Sequence, residues 1–246
     1  MNLTHPQSAP RLLPWLMLWL LLAAAECVLL LNDAHLDIRF YLATQKFLQA
    51  HPAPVLWAFF KLLGNPWIVA VLVCCMFIPH KTIRAATVRE RPCGSGGGGG
   101  TAPVASSRSR LRTPLRVHLT QALAAIVGTA LAGGIGGLIA IIAGRFRPLA
   151  DAANNWVLFR GFHIGAKNLS FPSGHATLAF AAAAILCYFY PKSKWIALLL
   201  AAGCAFSRVA HQAHFYSDVI FGAVLGWTVA WWTAHVIHAK FATMIK

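Results

Sequence analysis

Charge is scarce in this chain of 246 residues: Asp, Glu, Lys and Arg together make up 11%, and only six residues are acidic. A soluble domain of this length carries about 25% charged residues, so the deficit excludes a soluble protein built around one large core. Hydrophobic residues reach 58%. They gather in runs long enough to cross a bilayer, and the expected class is a polytopic membrane protein. Metal-ligand spacing is missing from the six cysteines, Cys27, Cys74, Cys75, Cys93, Cys187 and Cys204. All but Cys93 lie in apolar runs and read as small apolar helix residues. A small-residue cleavage site in a polar flank is lacking after the first run, which is therefore expected to be an uncleaved anchor. No internal repeat is visible.

What charge there is has one sign. The net charge of +15 comes from 21 Lys and Arg against the six acids. Nucleic-acid binding would account for such a balance, but the basic residues lie between apolar runs, where they fix topology and meet anionic lipid. No nucleic-acid partner is expected. The apolar runs are Leu12–Leu31, Val55–Ile78, His118–Ala143, His175–Tyr190, Trp195–Ala210 and Asp218–His238. At about 20 residues per crossing, they predict an all-α bundle of six transmembrane helices in a single domain, residues 1–246, with both termini on one side.

Residues 79–117 carry Lys81, Arg84, Arg89, Arg91, Arg108, Arg110, Arg112 and Arg116 against one acid, Glu90. With Lys192, Lys194, Arg11, Lys240 and Lys246 they share one face, which the positive-inside tendency makes cytoplasmic. Cys93–Arg116 is rich in Gly and Ser and is expected to be a flexible linker within that basic loop. Residues 32–54, 144–174 and 211–217 then form the outer face. In the third run, Gly133 and Gly137 make a small-xxx-small pair, read as bundle packing ahead of a homodimer contact.

Ionisable groups at membrane depth are costly and usually functional. The outer face gathers three sets of them. Arg147-Pro148 follows the third run, Pro172-Ser173-Gly174-His175 opens the fourth, and Ser207-Arg208 stands before His214 and Asp218. His214 and Asp218 are four apart, one face of a helix that begins near His214. A carboxylate accepting from one imidazole nitrogen leaves the other free to attack. An interfacial His beside a capping Asp is the plain alternative, and Ser207-Arg208 upstream favours chemistry. Arg147 and Arg208 offer charged forks that match phosphate oxygens. Pro148 stops the third helix and presents Arg147 to the site. Ser173, Gly174 and the start of the fourth helix expose donors for an anion, with His175 at the rim to protonate a leaving oxygen. Lys61 and Glu26 lie inside runs and pair or snorkel. His235 and His238 have metal-compatible spacing but no Cys or carboxylate partner, and read as interfacial.

These segments resemble the three-part signature of the type 2 phosphatidic acid phosphatase superfamily: Lys, six residues, Arg-Pro ending at Arg147-Pro148; Pro-Ser-Gly-His at Pro172 to His175; and Ser-Arg, five residues, His, three residues, Asp from Ser207 to Asp218. The resemblance covers about residues 119–238, the expected catalytic core. It implies a phosphohistidine on His214 oriented by Asp218, and His175 as acid. It further implies that Arg147, Arg208, Ser173 and the Gly174 amide hold phosphate, with no metal and no cofactor.

One position departs from the pattern. The signature lysine would fall at Ala140, two turns below Arg147 on the same helical face, with Arg145 and Lys167 as possible substitute cations. The function implied is hydrolysis of a lipid phosphomonoester or pyrophosphate in a bacterial inner membrane, the site facing the periplasm. Phosphatidate, phosphatidylglycerol phosphate and the lipid A phosphate are open as substrates, with undecaprenyl pyrophosphate favoured on resemblance. Phosphotransfer to a lipid acceptor, and a degenerate lipid-binding member, are the alternatives. The oligomeric state stays open.

Overall fold

A computed structural model describes residues 34–65, 68–69, 107–148, 159, 161–162, 164–165 and 169–243. Within them the chain is helical, with no strand. Six helices follow in order: α1 Ala34–Ala50, α2 Pro54–Leu62, α3 Ser107–Ala143, α4 Gly174–Phe189, α5 Lys194–Ala210 and α6 Tyr216–Thr243. Three stretches are long and apolar enough to cross a membrane: Val117–Ala143, Pro191–Ala210 and Tyr216–Phe241. Helix α4 is apolar but shorter. The expected first run, Leu12–Leu31, and most of the basic loop lie outside the described residues, so the count of six crossings is not established here.

Three expectations are corrected. Residues 32–54, placed on the outer face with no helix assigned to them, contain α1. Its residues Asp37, Tyr41 and Gln45 recur every four positions and are all buried, while Leu36, Phe40 and Phe47 are exposed; a stripe at this spacing is the signature of an amphipathic helix. The second run is not one helix: α2 stops at Leu62, and helical bonding resumes only with Val69 N–H donating to Asn65 O at 2.8 Å. Asn65 precedes Pro66, which disfavours helical backbone at Asn65. The Cys93–Arg116 linker is helical from Ser107 onward, because α3 begins there; its Arg and Leu residues favour helix, unlike the Gly run before them.

The bundle core is made of small side chains. Ala124, Ala125 and Ala132 of α3, Ala181 and Ala184 of α4, and Ala230 and Ala234 of α6 pack around Ile185. Large apolar residues such as Leu123, Ile126, Leu138 and Ile142 point outward instead. That inversion suits lipid, where close backbone approach rather than water exclusion drives helix association. The closest approach falls at Gly226 of α6, where a Cβ would stand 2.0 Å from the Thr177 carbonyl oxygen of α4. The small-xxx-small pair that meets backbone at both positions is Gly222 and Gly226. Of the expected pair, Gly133 packs on α4, where a Cβ would lie 3.2 Å from Leu178 Cδ2, and Gly137 meets nothing within 4 Å.

Candidate active site

The three outer segments meet at one end of the bundle. Helix α3 ends at Ala143 because Gly144 takes a left-handed backbone (φ +57), and a Cβ there would lie 2.1 Å from Gly161 O. Only glycine fits. This stop comes four residues before Pro148, so Pro148 does not end the helix, and Arg147 and Ala140 do not share a helical face. Beyond Gly144, the Arg145 backbone pairs with Phe159, and Ser170 N–H donates to Arg145 O at 2.9 Å. Ser173 N–H donates to Asp218 O at 2.9 Å, tying the start of α4 to the start of α6.

His214 lies two residues before α6, in the turn that follows α5, and is 2% exposed. Its Nδ1 is 2.7 Å from the Ser170 carbonyl oxygen. A carbonyl only accepts, so Nδ1 carries the proton and Nε2 keeps its lone pair. The carboxylate expected to fix this tautomer is farther away: Asp218 Oδ2 stands 3.8 Å from Nδ1. Asp218 instead organises the loop around the ring. Its Oδ2 accepts from Ser170 Oγ at 2.6 Å and from Phe215 N–H at 2.9 Å. The main-chain oxygen orients the imidazole, and Asp218 holds the residue that bears that oxygen. Burial, then the charges of Arg208 and Arg147, push His214 well below the ordinary imidazole range, against the smaller opposing effect of the Ser170 bond. The ring is therefore neutral at pH 7, the form able to attack.

The charges of Arg208, Arg147 and His175 all act on His214, and the same two guanidinium groups act on His175. The two rings and the two forks thus share one electrostatic environment. Arg208 is 6% exposed, and its Nε and Nη1 have no partner among the described residues. The same holds for Arg147 Nε and for Ser173 Oγ. Ser173 sits at the N-cap of α4 without making the usual side-chain cap bond, so its hydroxyl and the first N–H groups of α4 are available to an anion. Ser207, the companion of Arg208 in sequence, is engaged elsewhere: its hydroxyl donates to Cys204 O at 2.6 Å.

Arg145 turns inward, but not toward a phosphate pocket. Its Nη1 donates to Asp218 Oδ1 at 2.6 Å and to Ser217 Oγ at 2.5 Å, and its Nη2 to Asp37 Oδ2 at 3.0 Å. Paired with two carboxylates, it is no substitute for the lysine that Ala140 replaces. Lys167 lies outside the described residues. Lys61 does bear on the site. It sits one turn before Gly64, whose Cβ, if present, would be 2.8 Å from His175 Cβ, and its charge acts on His175. The spacing of Lys61 within an apolar run gave no sign of this, since the packing of α2 against the start of α4 brings the two together. Asp37 was also missed; it stands 108 residues from Arg145 in the chain, with no local motif to mark it. His211 is exposed, its Nδ1 2.8 Å from Ser207 O. His238 Nδ1 lies 3.2 Å from the Tyr188 hydroxyl at the other end of the bundle.

A helical membrane bundle whose one end holds a neutral buried imidazole among unpartnered cationic donors defines an anion-processing site. Residues 121–242 match the PAP2 superfamily, and the chain belongs to that superfamily. Its members are generally phosphatases, which supports phosphatase-type activity on lipid phosphates. The match takes in all three sequence motifs but neither α1 nor α2. No curated protein and no solved structure matches the chain.

Proposed function

We propose that this protein is a membrane lipid phosphate phosphatase that works through a phosphohistidine on His214. The observation that carries the reading is the set of buried donors without partners among the described residues, Arg208 Nε and Nη1 with Ser173 Oγ, beside an imidazole held neutral. Burying an ionised guanidinium without partners is costly, so such donors imply an anionic ligand. In the proposed reaction His214 Nε2 attacks phosphorus, and the bond to the leaving oxygen breaks as His175, protonated once the anionic substrate offsets the neighbouring cations, gives that oxygen a proton. The ring becomes a phosphoimidazolium, with Nδ1–H kept on Ser170 O. Water then attacks phosphorus, His175 takes its proton, and His214 is released. Arg147, Arg208, Ser173 and the Gly174 amide hold the equatorial oxygens, where charge spreads in the transition state. Lys61 supplies, from α2, part of the positive charge that Ala140 lacks.

The substrate is a lipid monophosphate or diphosphate, with undecaprenyl pyrophosphate favoured on resemblance, and the site opens on the face opposite the basic loops. A phosphate-release assay over a lipid panel in EDTA tests this, with the wild type beside His214→Ala and with trapping of a 32P-labelled protein intermediate. Release and labelling in the wild type, both lost in the variant, are expected. Release that persists in His214→Ala removes the assigned nucleophile, and loss of wild-type release in EDTA removes the metal-independent mechanism.

A further inference from the structure

We propose that Asp37, on α1 and outside the matched segment, is a positioning residue for the reaction at His214: it shares Arg145 with Asp218, so that Asp218 keeps negative charge directed at the His214 ring. The inference rests on the reading of His214 as nucleophile.

The geometry is that of a closed buried cluster. Asp37, Ser217 and Asp218 are fully buried, and Arg145 is 2% exposed. Asp37 Oδ2 accepts from Arg145 Nη2 at 3.0 Å and from the Ser217 hydroxyl, while Oδ1 accepts from Ser217 N–H at 3.2 Å. The other arm of Arg145 reaches Asp218 Oδ1 at 2.6 Å. Asp218 Oδ2 then faces Ser170 Oγ, Phe215 N–H and, at 3.8 Å, His214 Nδ1. The Arg145 guanidinium is also flanked by the rings of Phe215, 4.5 Å from the centroid, and Phe159 at 5.5 Å. Its plane is therefore held by carboxylates at its edge and by aromatic rings over its faces.

One buried cation against two buried carboxylates leaves a surplus negative charge. Burial pulls the Arg145 guanidinium down, and Asp218 and then Asp37 more than offset that, so its charge is fixed. If Asp37 were neutral, Arg145 and Asp218 would pair one to one. The cluster would then offer little field to a ring that must turn cationic when Nε2 bonds to phosphorus. Among the described residues the cations acting on His214 are Arg208 and Arg147, and Asp218 is the carboxylate beside it. Asp37 governs how much of that carboxylate's charge Arg145 quenches. In a buried network, an effect of this kind passes through charge rather than contact.

Asp37→Asn keeps the shape and removes the charge. It is expected to lower kcat about tenfold or more with KM changed less than about twofold, the pattern of an interaction felt mainly in the transition state. The acid-side midpoint of kcat/KM should move to lower pH, since removing a negative charge disfavours the imidazolium. Asp37→Asn combined with Arg145→Gln removes both charges and leaves Asp218 unquenched. That midpoint should move to higher pH than in the single variant, and part of kcat should return.

Folded variants with wild-type kcat and an unmoved midpoint would overturn the inference. So would a parallel loss of kcat and KM at a fixed midpoint, or failure of both variants to fold, either of which makes Asp37 purely structural. His214→Ala run alongside separates the two readings: activity retained there defeats the nucleophile assignment, whereas a dead His214→Ala beside a wild-type-like Asp37→Asn defeats only the role of Asp37.

Discussion

In the proposed reaction Arg208 and His214 divide the work at the residue scale. The guanidinium has donors without protein partners and the imidazole has a lone pair without a proton, so each is unfinished in a way that phosphate completes. Arg208→Gln is expected to lower kcat/KM by about 10²–10³, the usual loss when a preorganised transition-state donor is removed. Lys61→Met, whose charge acts on His175 rather than on the nucleophile, should cost less, about tenfold. Steady-state kinetics on one lipid phosphate checks both.

The pH behaviour of His214 follows from its sign. Its folded-state value lies below the ordinary imidazole range, so unfolding takes up a proton as pH drops below about 6.5, and stability falls there. Thermal unfolding in detergent should show a decline from pH 7 to pH 5 that His214→Gln makes shallower. The residues proposed to carry chemistry were legible in the sequence because each sits in a short, spaced motif. The acceptor for His214 Nδ1 was not, because Ser170 contributes a main-chain oxygen that any residue possesses.

At the scale of elements, the crossing of α4 and α6 sets the spacing of the site, since Ser173 and Asp218 sit at the adjoining ends of these two helices. A Cβ on Gly226 would meet Thr177 O, a backbone atom that cannot swing aside. Gly226→Ala should therefore push the helices apart and destabilise the protein by about 2–3 kcal/mol, as overpacking does, measured by denaturant unfolding in detergent. The glycines show the limit of spacing arguments. Gly133 and Gly137 have the same interval as Gly222 and Gly226, and only the rotation of each helix in the bundle decides that both glycines of the second pair meet backbone while Gly133 meets the Leu178 side chain and Gly137 meets nothing. Helix α1 was readable in principle from Asp37, Tyr41 and Gln45. Its inward stripe is half polar, however, so a search for apolar periodicity passes over it.

For the whole molecule, Asp37, Arg145, Ser170 and His214 belong to segments far apart in the chain that share one end of the bundle, opposite Lys192 and Lys194. This arrangement supports a site on the non-cytoplasmic side. In a cysteine-free background, Gln49→Cys should react with an impermeant thiol reagent on intact cells, and Lys192→Cys only after permeabilisation. The reverse pattern would turn the site to the cytosol. The all-helical class and the course of the last three helices were legible from hydropathy alone. The interruption after α2 was not, because a long apolar run conceals the short Gly64-Asn65-Pro66 break within it.

The grip of Ser170 on the His214 ring runs through an atom that no codon change can delete. Replacing the serine alters its hydroxyl but spares the carbonyl, so the tautomer is secured against single substitutions at that position. It is exposed only to displacement of the strap between α3 and α4. Inactivating lesions of indirect origin should therefore cluster where that strap is pinned, above all at Gly144.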